Sequence, residues 1–202
     1  MTFDTSKNLS SIGALLMVIA AVGTAIPYLG LIGLIGLILL LIGLKGLADF
    51  YNEQGIFNNA LYSVIIAIVG GVVAVATIAI TALSTLANIG LDIGNIEDWA
   101  ALGGDLSAYF TDLANLSQLW NILSAVIIGL IILFVFAIIA MYFMRKSMNQ
   151  LSSKSGISLF GTAGLLMLIG ALLTIVAIGL ILIWIGLILA TVAFFRMKEP
   201  QT

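Results

Sequence analysis

Apolar residues fall in four uninterrupted blocks, 11–44, 60–87, 119–144 and 157–195, and none of the blocks contains Asp, Glu, Lys or Arg. A helix that crosses a bilayer needs about 20 such residues, within a range of roughly 17–25. The second and third blocks each predict one helix, the second long enough to tilt or protrude. The first and last would form helices roughly 50–60 Å long against a hydrocarbon core of about 30 Å, so each is predicted to fold back as a hairpin. In the first block the break is Pro27, which cannot donate a backbone hydrogen bond and pushes Ile26 out of helical geometry. In the last it is "TIVAIGL", where β-branched residues and Gly179 meet around 174–179.

The predicted fold is all-α: a polytopic membrane helix bundle of about six transmembrane helices, with two similar glycine-rich hairpins (helices 1–2 and 5–6) flanking a central helix pair. One integral domain covers 1–202. Within it lie a hairpin over 10–48, span three over 60–87, an extracytoplasmic acidic segment over 88–118, span four over 119–144 and a second hairpin over 157–196. The first arm, 11–26, gives only about 24 Å of helix. Two arrangements therefore stay open, arms that span fully and hairpins that dip in and return.

Composition agrees with lipid as the solvent. The chain is 62% hydrophobic and 8% charged, where a soluble domain carries about 25% charged residues. It has no cysteine and no histidine, which removes thiolate chemistry, the usual general base and the commonest metal ligand. No cofactor and no metal site is expected. A net charge of −2 without a basic run excludes nucleic acid as a partner.

Charge placement sets the orientation. With six spans, all seven basic residues share one side: Lys7, Lys45, Arg145, Lys146, Lys154, Arg196 and Lys198. The opposite segment, 88–118, holds Asp92, Glu97, Asp98, Asp105 and Asp112 and no base. The positive-inside rule then places both termini in the cytoplasm of a multi-pass cell-membrane protein. A cleaved leader over 1–25 is disfavoured, because Asp4 offsets Lys7. Within 88–118, Asp105 reads as the N-cap of an interfacial helix bearing Leu106, Tyr109, Phe110, Leu113 and Leu116. Trp99 and Trp120 suit the membrane boundary, and Asn115-Leu116-Ser117 is a glycosylation sequon.

A shift of 150 residues aligns the two hairpins without a gap. "LLM" at 15–17 meets "LLM" at 165–167, "IGLIL" at 35–39 meets the same string at 185–189, and Ile19, Ala21 and Thr24 meet Ile169, Ala171 and Thr174. Small residues recur at sevens: Gly13 and Ala20 correspond to Ala163 and Gly170, and Gly36 and Gly43 to Gly186 and Ala193. In lipid, helices associate where small residues let backbones approach, so these eight positions are the predicted helix-packing residues. A heptad seam suits left-handed crossing, and the repeat implies a pseudo-two-fold axis along the membrane normal.

Candidate chemistry is sparse. A polar cluster follows span two, and Lys45, Asp49, Glu53 and Asn59 are its candidate docking or ligand residues. The favoured reading is a connecting loop with Lys45 snorkelling to the interface. The outer carboxylates show no calcium-loop pattern and read as a solvated acidic loop. No ionisable residue lies within the spans, which lowers ion or proton coupling. Thr77, Thr81, Ser84, Thr85 and Ser124 could line a path for a neutral solute. No nucleotide-binding, kinase, serine-hydrolase or zinc-protease motif occurs.

The stretch "LIGLKGLADFYNEQGIFNNALY" (41–62) joins a Gly-Leu-x-x-Leu helix end to Phe50-Tyr51, Glu53 and Ile56-Phe57-x-Asn59. With the ending "AFFRMKEP" (193–200), it resembles an archaeal family of integral membrane proteins, domain of unknown function 996, over nearly the whole chain. The resemblance implies an archaeal cell-membrane protein and no particular activity. The residues themselves favour a non-enzymatic protein that packs with the lipid bilayer, a partner membrane protein or a second copy. The alternative is a small transporter or channel for a neutral or lipophilic solute. A lipid-acting enzyme, with Asp49 and Glu53 as its acid–base pair, stands third.

Overall fold

The computed structural model describes residues 1–22, 29–88, 116–176 and 178–199. Six α-helices occur among them: α1 (Phe3–Val22), α2 (Leu29–Phe50), α3 (Gln54–Asn88), α4 (Leu116–Ser155), α5 (Ser158–Leu172) and α6 (Ile178–Arg196), with a 3₁₀ turn at Thr174–Val176 between the last two. The architecture is all-helical. The Pro27 break, the interfacial helix, the acidic segment and the Asn115 sequon lie outside the described residues.

Among the described residues four stretches are long and apolar enough to cross a membrane: Gly30–Phe50, Gln54–Thr85, Trp120–Ser155 and Ile178–Arg196. The six helices agree with the expected bundle, and the two outside this set are the leading arms of the hairpins. The first turns of α1 carry Asp4, Lys7 and Asn8, so its apolar run is short. Helix α5 has 15 residues, about 22 Å, and falls short of an upright crossing.

Two expected loops are helical. Helix α2 continues to Phe50 and α3 begins at Gln54, so the 45–59 loop shrinks to residues 51–53. There Asn52 takes a left-handed conformation (φ 50°) and the Glu53 N–H closes onto the Ala48 carbonyl at 2.9 Å. Helix α4 runs past Arg145 and Lys146 to Ser155, and Gly156 (φ 73°) makes the turn into α5. The edge of an apolar run marks where lipid ends, not where the helical hydrogen bonds end. Ser147, Met148 and Leu151 are buried along this extension, and that inward face keeps it folded beyond the apolar block.

The chain divides into two compact units. The first comprises Met1–Ala67 and Phe136–Thr202. In it α1 packs along α2, α5 packs along α6, and α1 also lies along α6, where the Trp184 Nε1–H donates to the Val18 carbonyl at 3.2 Å. The core of this unit gathers Leu44, Leu47, Ile56, Met148, Leu151, Phe160, Phe194 and Met197, with Phe160 and Phe194 edge to face at 4.8 Å. The second unit, Ile68–Val135, pairs part of α3 with part of α4. Gly129 is their close approach, since a Cβ there would lie 2.9 Å from Ile78 Cγ1.

Candidate functional site

The polar cluster at the end of α2 and the start of α3 forms a clamp inside the first unit. Lys45 Nζ sits 3.4 Å from Asp49 Oδ1 and 3.3 Å from Gln54 Oε1, and Gln54 Nε2–H donates to Asp49 Oδ1 at 2.8 Å. Lys45 also lies over the Phe57 ring, 5.3 Å from its centre. Glu53 pairs with Lys154 at 3.5 Å. Asn59 Nδ2–H donates to the Gly55 carbonyl at 2.6 Å and to Gln150 Oε1 at 2.9 Å. One turn away on α4, the buried Ser147 hydroxyl donates to the Ile56 carbonyl at 2.6 Å. Tyr51 stacks edge-on against Phe3 and Phe50, and burial pushes its phenol up from the ordinary tyrosine range.

The four candidate residues thus fall into three separate engagements. Lys45 and Asp49 hold each other and Gln54, Glu53 holds Lys154, and Asn59 reaches Gln150. Each pairing joins helix ends rather than opening a cavity. Exposed ion pairs of this kind contribute about 0–1 kcal/mol each. The Ser147 and Asn59 hydrogen bonds matter more, because a buried polar group left unpaired costs about 1–3 kcal/mol. Gln54, Ser147 and Gln150 were missed in the sequence. Ser147 and Gln150 on α4 meet Ile56 and Asn59 on α3, 91 residues away, and no local spacing reveals such pairs, while Gln54 reaches Asp49 and Lys45 only because α3 starts directly after the short turn.

Gly13, Gly36 and Gly43 of the first hairpin sit against backbone. A Cβ at Gly13 would lie 2.5 Å from Leu40 N and 2.6 Å from Gly36 O, and one at Gly36 would lie 2.7 Å from Gly13 O and 3.1 Å from Met17 N. Gly43 faces Ser10, whose backbone N would be 2.6 Å away and whose hydroxyl is closer still. That hydroxyl is buried and has no hydrogen-bond partner among the described residues. Gly33 would meet Ala20 Cβ at 2.9 Å, whereas Gly30 meets nothing within 4 Å. In the second hairpin Gly186 would lie 3.0 Å from Ala163 O and 3.3 Å from Met167 N. Gly170 would lie 2.9 Å from Ile183 N, and it also meets Gly179. Ala193 is buried in the core of the unit.

Two further close approaches extend the seams. Gly46 packs on Ser6, and Gly179 packs on the Gly170 carbonyl. Gly46 stands three residues, about one helical turn, beyond Gly43, a neighbour that a strict spacing of seven overlooks. Gly179 stands seven before Gly186 and so extends the heptad of α6, although in the sequence it was named only for the turn.

The second unit contains a groove of about 250 Å³ lined by Thr77, Thr81, Ser84, Thr85, Asn121, Ser124, Ala125 and Ile128. Thr77, Thr81 and Thr85 recur every four residues and form one face of α3. Each hydroxyl donates to a carbonyl of its own helix: Thr77 to Val73, Thr81 to Thr77, Ser84 and Thr85 to Thr81, and Ser124 to Asn121, at 2.8–3.0 Å. The groove therefore presents mainly hydroxyl lone pairs, and it carries no formal charge among the described residues.

The chain is 29% identical over 200 residues to Uncharacterized protein MJ1644 of Methanocaldococcus jannaschii, an alignment that covers 98% of this chain and 95% of that one. No solved structure matches it. The family described as "Protein of unknown function (DUF996)" matches residues 32–188, most of the chain including the clamp and the groove, and the protein belongs to that family.

Proposed function

We propose that this is a non-enzymatic integral membrane protein that acts by packing with lipids or with partner membrane proteins, a second copy included. The observation that carries the reading is the surface of the second unit. Val72, Ile80 and Leu130 are 62%, 67% and 57% exposed, and Val69, Val75, Leu83, Ile127 and Ile131 are exposed with them. Apolar patches of this extent need a covering partner. The engagement of Asp49 and Glu53 in ion pairs supports a structural role for the two acids that a lipid-acting enzyme would have used as its acid–base pair.

A photoreactive diazirine side chain at Val72, Ile80 or Leu130 tests this in native membranes. The expected products are lipid adducts or one discrete protein adduct. Quenching by water at all three positions would mean an aqueous path and would overturn the proposal.

The second reading, a transporter or channel for a neutral or lipophilic solute, is favoured by one observation, the uncharged hydroxyl groove. In either case we place the protein in the cell membrane with both termini cytoplasmic and 88–118 outside, on the distribution of basic residues. A cysteine at Asp98 should then react with an impermeant reagent on intact cells, and one at Lys154 should not. The reverse labelling would invert the topology.

The organisation proposed is a single integral domain built on a duplicated hairpin, 10–48 and 157–196, around spans at 60–87 and 119–144. Its support is that contacts correspond under the same shift of 150. Gly36 meets Gly13 O and Met17 N, as Gly186 meets Ala163 O and Met167 N. Gly33 meets Ala20, as Ile183 meets Gly170.

A further inference from the structure

We infer that the groove between α3 and α4 binds a neutral, hydroxyl-bearing group of glycerol type. The lining selects for that chemistry in three ways. Its hydroxyl donors are spent on their own helix carbonyls, so the ligand must bring donors of its own. An anion, which only accepts, would face oxygen lone pairs everywhere except at the Asn121 amide, too little to replace its water. A cation would lose its water without a carboxylate to replace it, a cost that neutral oxygens recover poorly.

Size points the same way. About 250 Å³ lies below the roughly 300–1,000 Å³ of sites for drug-sized ligands. The depth fits too. Asn121 follows Trp120, which is exposed and belongs to the residue type that settles at the membrane–water interface. The polar face of α3 from Thr77 to Thr85 covers about 12 Å of helix, enough for a headgroup held at that boundary.

Interhelical adhesion does not account for the polar set. Polar side chains that glue membrane helices bond across to the neighbour, and these hydroxyls bond back to their own helix. Burial of Thr85 at the wall of an open groove leaves its remaining lone pair turned to whatever fills the space. On the packing reading above, on which the choice of source rests, that group is a lipid headgroup. Free glycerol has the same chemistry.

The test uses the full chain in nanodiscs of phosphatidylcholine containing monoolein, whose headgroup is a neutral glycerol. Wild-type protein released into native mass spectrometry should retain monoolein in preference to phosphatidylcholine. Thr81→Val/Thr85→Val, which keeps the side-chain shape, should lower retention about tenfold, the equivalent of one or two lost hydrogen bonds. Val72→Ala, outside the groove, should not. Helicity and monodispersity check the fold, and Ser124→Ala gives a second reading, with a loss of about two- to fivefold.

The other arm measures saturation transfer to free glycerol in detergent. Transfer that disappears in the variants, without monoolein retention, upholds the groove chemistry but makes the source a free polyol, against the packing reading. Equal monoolein retention in wild type and variants, together with no transfer to glycerol, overturns the inference and leaves the packing reading standing.

Discussion

Gly36→Leu is expected to unpack the first hairpin, with a loss of more than about 3 kcal/mol, at or beyond the upper end of ordinary overpacking. The reason is what the new side chain would meet. Its Cβ would stand 2.7 Å from the Gly13 carbonyl and 2.9 Å from Leu16 Cβ. A carbonyl oxygen on a helix cannot swing aside as a side-chain tip can, so α1 and α2 must separate. Gly30→Leu should have the opposite sign, since that Cβ meets nothing within 4 Å. Removing a helical glycine there should be neutral or stabilising by up to about 1 kcal/mol. Detergent-dependent unfolding followed by circular dichroism reads both. Equal tolerance at the two positions would dissolve the idea of a glycine seam.

The second expectation is a rescue. Gly33 packs on Ala20, and the corresponding pair in the other hairpin is Ile183 on Gly170. The large and small partners are exchanged between the arms. Gly33→Ile alone should therefore cost about 1–3 kcal/mol, because its Cβ would lie 2.9 Å from the Ala20 methyl. Ala20→Gly alone should cost about 1 kcal/mol, from a lost methyl and a more flexible helix. Together they reproduce the second hairpin's solution, so the double variant should recover about 1–2 kcal/mol relative to the sum. The readout is a double-mutant cycle on the same unfolding transition. A strictly additive result would mean that the two hairpins pack by different rules, and would remove the contact support for a duplication.

The second turn could be read from the sequence because its signals are local: a 3₁₀ turn lies at Thr174–Val176, where β-branched residues lead into Gly179. The face bearing Thr77, Thr81 and Thr85 follows from helical spacing alone, and it does line a groove. What escaped was non-local or polar. Ser147 reaching Ile56 and Asn59 reaching Gln150 join residues from helices separated by the whole central segment. Asn121 belongs to the groove, but beside Trp120 it looks like ordinary interface. The lengths of α2 and α4 were underestimated because Lys45, Arg145 and Lys146 were taken as helix ends. They mark the edge of the lipid, and Leu47, Met148 and Leu151 beyond them are fully or almost fully buried. Six helices were expected and six are described, and the polar start of α1 and the 15 residues of α5 make the leading arm of each hairpin the less apolar or the shorter one.

The clamp and the seams bear on function in one direction. They spend polar and small residues of the first unit on internal contacts, while among the described residues of the second the exposed surface is largely apolar beside an uncharged groove. A protein arranged in this way has its lateral faces left for work. The most direct measurement is solute flux through the purified full chain in phosphatidylcholine liposomes. Stopped-flow light scattering would follow a panel of neutral solutes that includes glycerol and urea. The account predicts rates equal to those of protein-free liposomes at every protein density. Flux of any one solute that rises with protein content, and falls in Thr81→Val/Thr85→Val, would contradict it.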